Sequence, residues 1–156
     1  MFGFLQAAVV YVIPILLILT LIVTIHELGH FLVAKSFNVA IDRFSIGFGR
    51  AIARWTDKSG VEWRIGMIPL GGYVRFAGDT NDASVPDKED LAELRQQIEE
   101  RFGAEAVSRF YAFKPVWQRA LIAVAGPAAN FILAIAIFTA VLMAGVLGRV
   151  PPVVSS

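Results

Sequence analysis

The chain reads as an α-helical membrane protein with a small cytoplasmic β element: two transmembrane helices flank a β-hairpin or sheet region and an amphipathic helix. Three observations lead there. More than half of the 156 residues are apolar (56 %), well above ordinary globular usage once the 13 glycines are set aside. Two long stretches, one near each end, are almost free of charge, and every Lys and Arg except Arg149 falls between Lys35 and Arg119. Between those stretches the apolar residues alternate with period two, then shift to a helical stripe. A span takes about 20 residues, so there is room for two spans and one small module. A net charge of +1, with no basic cluster interleaved with aromatics, excludes nucleic acid as a partner. The absence of cysteine excludes a disulfide framework and any thiolate metal site, leaving nitrogen and oxygen as ligands.

Residues 1–37 form the first transmembrane helix, centred on Phe4 to Phe37, with a kink expected at Pro14. No Lys or Arg precedes Lys35, and the apolar run from Phe2 to Ala34 is far longer than a signal-peptide core, so this helix is expected to stay uncleaved. Inside it stands His26-Glu27-Leu28-Gly29-His30, which holds both histidines of the chain. Each helical residue turns about 100°, so positions four apart lie about 40° from one another and both imidazoles can face one metal ion. Glu27 beside them is a candidate general base for hydrolysis by an activated water. Ionisable groups are costly inside a span, which makes them functional candidates rather than chance polar residues. Gly29 leaves room for close backbone approach, or simply for helix packing.

Residues 38–80 are a membrane-associated β region. Phe44, Ile46 and Phe48 alternate, as do Val61, Trp63, Ile65 and Met67, with Asp57-Lys58-Ser59-Gly60 as the turn between them. Pro69-Leu70-Gly71-Gly72 interrupts the pattern before Tyr73 to Phe76 resumes it. Residues 81–116 are a charged helical segment whose stripe is Leu91, Leu94, Ile98 and Phe102, with Ser84 and Asp87 as candidate caps. This helix is expected to lie on the sheet or the membrane surface. Residues 117–148 hold the second transmembrane helix, Ala120 to Leu147, expected to tilt, to break near Gly126-Pro127 or to project past the bilayer.

The positive residues orient both helices. Lys35, Arg43, Arg50 and Arg54 follow the first and Arg109, Lys114 and Arg119 precede the second, so the connection faces the cytoplasm and both termini face out. His30 and His26 then lie roughly 8 and 13 Å above Lys35, and Gly126 and Asn130 roughly 10 and 16 Å above Arg119. The polar features of the two helices fall at one level, so Gly126, Pro127 and Asn130 are candidates for support of the same site.

These residues resemble the N-terminal part of a bacterial site-2 protease of the regulator-of-sigma-E type. The matching pieces are HELGH at 26–30, FSIGFG at 44–49, IPLGGYVRF at 68–76 and GPAANF at 126–131. The resemblance implies a zinc metalloendopeptidase in the bacterial inner membrane, with His26 and His30 on Zn2+ and Glu27 as the base. It implies single-pass transmembrane substrates, such as anti-sigma factors or signal-peptide remnants, cut within or near the lipid bilayer. It also implies a β-loop beside the active site rather than only a folded cap; since a sheet edge can bind an extended peptide by strand addition, the hairpin around Gly60 or the Gly71-Gly72 segment is a candidate for presenting substrate.

One expected part has no counterpart in the sequence. A catalytic zinc takes three protein ligands, which the family completes with an aspartate from a later helix, beyond one or more PDZ domains. The second helix here offers no carboxylate, and Asp42 lies past Lys35 at the water boundary. Residues 149–156 read as the start of such a domain, so the third ligand and the rest of the C-terminal half are expected outside these 156 residues. The chain alone is expected to be inactive. The alternative reading is a pseudoprotease that binds client helices without cutting them, which would not need Glu27. A metal-handling membrane protein would need further ligands along a pathway, and the second helix has none.

Overall fold

The computed structural model describes residues 3, 6, 8–78 and 88–145. Its order is a π-helical turn, Ala8–Val12; helix α1, Ile13–Ser36; strands β1, Ile41–Thr56, and β2, Glu62–Phe76; helix α2, Lys88–Phe102; two 3-10 turns, Ala104–Arg109 and Tyr111–Phe113; and helix α3, Val116–Met143. Val9–Ser36 and Val116–Met143 are both long and apolar enough to cross a bilayer. Two long apolar helices therefore flank a small sheet and a further helix.

Pro14 does not kink the middle of a helix. It occupies the first turn of α1, where a missing N–H costs least. The irregularity lies upstream: Pro14 cannot donate to the carbonyl of Val10, and that stretch takes the wider π geometry. Helix α3 begins at Val116, four residues before the expected start, because Pro115 fixes the N-cap and Gln118 and Arg119 donate to its carbonyl. It runs unbroken through Pro127. Loss of the N–H at residue 127 removes one bond, from the carbonyl of Ala123, without ending the helix. Ser84, Asp87 and residues 149–156 lie outside the described residues.

β1 and β2 form one antiparallel sheet with an unusual register. Residues 43–46 have partners on both sides. On one side Phe44 faces Val74 and Ile46 faces Gly72; on the other Phe44 faces Trp63 and Ile46 faces Ile65, with numbers rising together. Residues 53–56 then turn back along 62–65. Each long strand is therefore bent into two arms, and 72–76 is an outer arm paired along one side by 43–46. The Pro69-Gly72 segment does not leave the strand. It is a bulge, with one residue of β1, Gly47, facing three of β2, Pro69 to Gly71, between the Phe48–Ile68 and Ile46–Gly72 pairs. Gly71 accommodates it at φ +138°.

Burial divides the sheet lengthwise. Phe44 is 1 % exposed and packs edge-on against Phe31 of α1, with Trp63 and Val61 completing the cluster. Towards the other end Phe48 is 45 % and Met67 65 % exposed. Alternation thus marks one buried face only where α1 covers it. A second cluster, Ala34, Val39 and Ile122, joins the end of α1 to the start of α3. There Lys114 Nζ donates to the carbonyl of Phe37 at 2.7 Å, capping α1 with a cation. Helix α2 buries Ile98, half-buries Leu91 and Leu94, and leaves Phe102 exposed. Its stripe packs on Val107 and Phe110 of the short turns rather than on the sheet, one of the two surfaces expected for it.

Candidate metal centre

The site is assembled where α1, α3 and the outer arm of β2 meet. Gly29 sets the distance between the helices. A Cβ there would collide with the carbonyl of Ala125 and stand 2.8 Å from the Ala129 methyl, so only glycine lets α3 come this close. Gly29 thus lets the backbone of α3 approach α1 at Ala125. The close crossing brings the polar side of α1 against Gly126 and Asn130.

His26 and His30 lie with ring centroids 4.8 Å apart and planes 81° to one another. A Cβ built on Gly126 would stand 2.7 Å from His26 Nε2 and closer still to His30 Nε2. Both Nε2 atoms thus lie against Gly126, in the room a side chain there would take. The two imidazoles are neighbours there, and neutral imidazole nitrogens are zinc ligands. The far side of each ring is held by α3. His30 Nδ1–H donates to the carbonyl of Ile122 at 2.6 Å, which leaves Nε2 with its lone pair. Asn130 Nδ2 lies 3.2 Å from His26 Nδ1, and Asn130 Oδ1 is buried without a partner.

Glu27 faces the other way, toward the sheet. It lines a cleft of about 190 Å³ with His30, Val74, Phe76, Tyr111, Ile122 and Ala123. Its Cγ would lie 3.7 Å from a Cβ on Gly72. Along this cleft Phe76 and Tyr111 stack with centroids 4.8 Å apart. Pro127 acts at one remove, since the carbonyl it deprives of a partner belongs to Ala123, a lining residue. Gly71 stands apart from the histidines. Its missing side chain accommodates the Phe48 ring.

The turn around Gly60 is anchored elsewhere. Asp57 accepts from the N–H of Ser59 and Val61 and from Trp63 Nε1, and pairs with Lys35 at 3.7 Å. Desolvation pushes its carboxyl up, but those hydrogen bonds outweigh it and hold the group below its ordinary range. Of the two segments expected to present substrate, only Gly71-Gly72 adjoins Glu27. Sequence reasoning missed the Ile122 carbonyl, the Phe76–Tyr111 pair and Thr20, whose hydroxyl contacts the carbonyls of Leu16 and Pro69. Thr20 alone carried a signal, as a hydroxyl inside an apolar helix. Among the described residues no group of three His, Cys, Asp or Glu could hold a metal ion.

The sequence model of peptidase family M50 matches residues 14–151. Metalloprotease MmpA of Caulobacter vibrioides is 57 % identical over 143 residues, covering 92 % of this chain and 35 % of its own. A relative from Agrobacterium fabrum with zinc metalloprotease in its name is 44 % identical, over 89 % of this chain and 34 % of its own. Regulator of sigma-E protease RseP of Escherichia coli is 44 % identical, over 87 % and 26 %. The chain spans about a third or less of each of these three relatives. Its two long apolar helices, the HELGH segment on the first and a match running through both place it in a family of membrane metalloproteases: the chain belongs to peptidase family M50.

Proposed function

We propose that these residues are the N-terminal part of an intramembrane zinc endopeptidase that cuts transmembrane segments of single-pass proteins. The observation that carries the reading is that His26 Nε2 and His30 Nε2 both lie against Gly126. These two imidazoles would hold the metal, with a third ligand from sequence beyond this chain. Bound there, zinc would supply the Lewis acidity that makes a water nucleophilic near neutral pH. Glu27, in the cleft rather than on the metal, takes a proton from the attacking water and returns it to the departing amine nitrogen. The outer arm 72–76 holds the substrate in extended form beside Glu27 by strand addition. Water enters through the cytoplasmic cleft between Phe76, Tyr111 and Ala123. The membrane is taken to be the bacterial inner membrane, by likeness to the relatives, with the sheet entering it from the cytoplasmic side. Clients of the RseP-like kind, anti-sigma factors or signal-peptide remnants, fit a site of this depth.

The test uses the protein as its gene encodes it. His26→Ala should lose both zinc and cleavage of a single-pass substrate. Glu27→Gln should keep zinc and lose cleavage by a factor of at least about 10². Glu27→Gln with undiminished cleavage would remove Glu27 as the base. A wild-type protein that binds no zinc would favour the pseudoprotease that only holds client helices.

A further inference from the structure

Helix α3 does more than close the site. Each histidine of α1 can present Nε2 to a metal only if its Nδ1 carries the proton, and that proton needs an acceptor. His30 has one, the carbonyl of Ile122. Among the described residues, His26 Nδ1 has the carboxamide of Asn130 as its hydrogen-bond partner, on the same helix two turns further on. The two ends of a carboxamide have the same shape, so the surrounding network decides which end faces the ring. If Nδ2–H faced Nδ1, the proton of His26 would sit on Nε2 and point an N–H into the space beside Gly126. That arrangement also buries Oδ1 without a donor. The reverse arrangement leaves the amide N–H₂ without a protein partner, so the tally of unpaired atoms does not choose between them. The tautomer does. His30 Nε2 and His26 Nε2 share one small space, and both must offer lone pairs for that space to hold a cation.

We infer that Asn130 is a positioning residue whose Oδ1 accepts from His26 Nδ1–H, so that α3 sets the tautomer of both imidazoles. His30 is fixed by backbone and no side-chain change removes its acceptor. His26 is fixed by a side chain and can be tested. The inference rests on the zinc reading given above.

The experiment is a zinc competition titration against a chelator, on the full-length protein in detergent, comparing wild type with Asn130→Asp and Asn130→Leu. Asp keeps an acceptor of the same reach and has no N–H to donate. Leu keeps the volume and removes the acceptor. The expected result is loss of zinc affinity by about 10–100-fold in Asn130→Leu, with Asn130→Asp close to wild type or tighter. Equal losses in both variants would show that Nδ2–H is the group in use and overturn the inference. Unchanged affinity in Asn130→Leu would overturn it also. Absence of zinc from the wild type would instead sink the metal reading, and the inference with it. Leu also reports on folding, since a variant that only disturbed packing would lower thermal stability without separating Asp from Leu in zinc affinity.

Discussion

Gly126 shows how much of a site can depend on an absent side chain. A methyl group there would be forced against Nε2 of both histidines, and real Cβ atoms do not approach other heavy atoms so closely, so the rings would have to turn away. In a helix, alanine is otherwise the better residue, by about 0.8–1.0 kcal/mol over glycine. Gly126→Ala is therefore expected to leave thermal stability equal or higher while zinc content falls, measured side by side on the purified protein. Full zinc occupancy in this variant would mean that the two nitrogens do not share the space beside residue 126. The histidine spacing and the match in depth between the two helices were readable from sequence. The carbonyl of Ile122 was not, because a backbone acceptor leaves no mark on residue type. Nor could spacing tell that Gly29 faces Ala125 and Ala129 while Gly126 faces the rings. Both are small residues on apolar helices, and only the helix crossing assigns their faces.

The sheet was legible as alternation and turn chemistry, but its register was not. Phe44 pairs on both sides at once, a consequence of two bends that no periodicity encodes. Those bends put the outer arm 72–76 beside Glu27 and leave the Asp57 turn at the other end, so two predictions separate them. Along the outer arm, alternate N–H groups face β1 and the open side. Proline at successive positions from Tyr73 to Phe76 should lower substrate cleavage most at open-side positions while the protein stays folded. Cleavage that is indifferent to proline there would rule out strand addition. At the turn, the carboxyl of Asp57 is held below its ordinary value, so it stabilises the fold above the unfolded value of about 3.9 and the contribution disappears as pH falls through the folded value. Asp57→Asn should unfold more readily than wild type at neutral pH, followed by tryptophan fluorescence with Trp63 as the local reporter, and the difference should vanish in acid. A gap that persists unchanged at low pH would mean that packing around the turn, not the charge, is what the substitution removes.

Taken together, the elements set the level of the sheet along the first apolar helix, which composition alone left open. Lys35 lies in the last turn of α1, and Thr20, which meets the carbonyl of Pro69, lies fifteen residues earlier, about 22 Å along the helix axis. The bulge of β2 therefore stands beside the apolar middle of α1, and the sheet carries Ile52 at 70 % and Leu70 at 54 % exposure. Apolar residues so exposed would be a liability in water. Backbone away from helix or closed sheet is tolerated at membrane depth only against protein or around a water-filled cavity. Both conditions are met if one side of the arm lies on α1 and the other lines the cleft at Glu27. The chain has no cysteine, so single cysteines can map this directly. In spheroplasts and in inverted vesicles, Ser59→Cys and Ser108→Cys should react with a membrane-impermeant maleimide only when the cytoplasmic face is open. Leu70→Cys should resist that reagent from both faces and react with a small apolar one. Labelling of Leu70→Cys as fast as Ser59→Cys would lift the whole sheet out of the bilayer. That result would also remove the physical reason for placing peptide cleavage at the depth of His26, because nothing would then hold an extended substrate at the level of the two histidines.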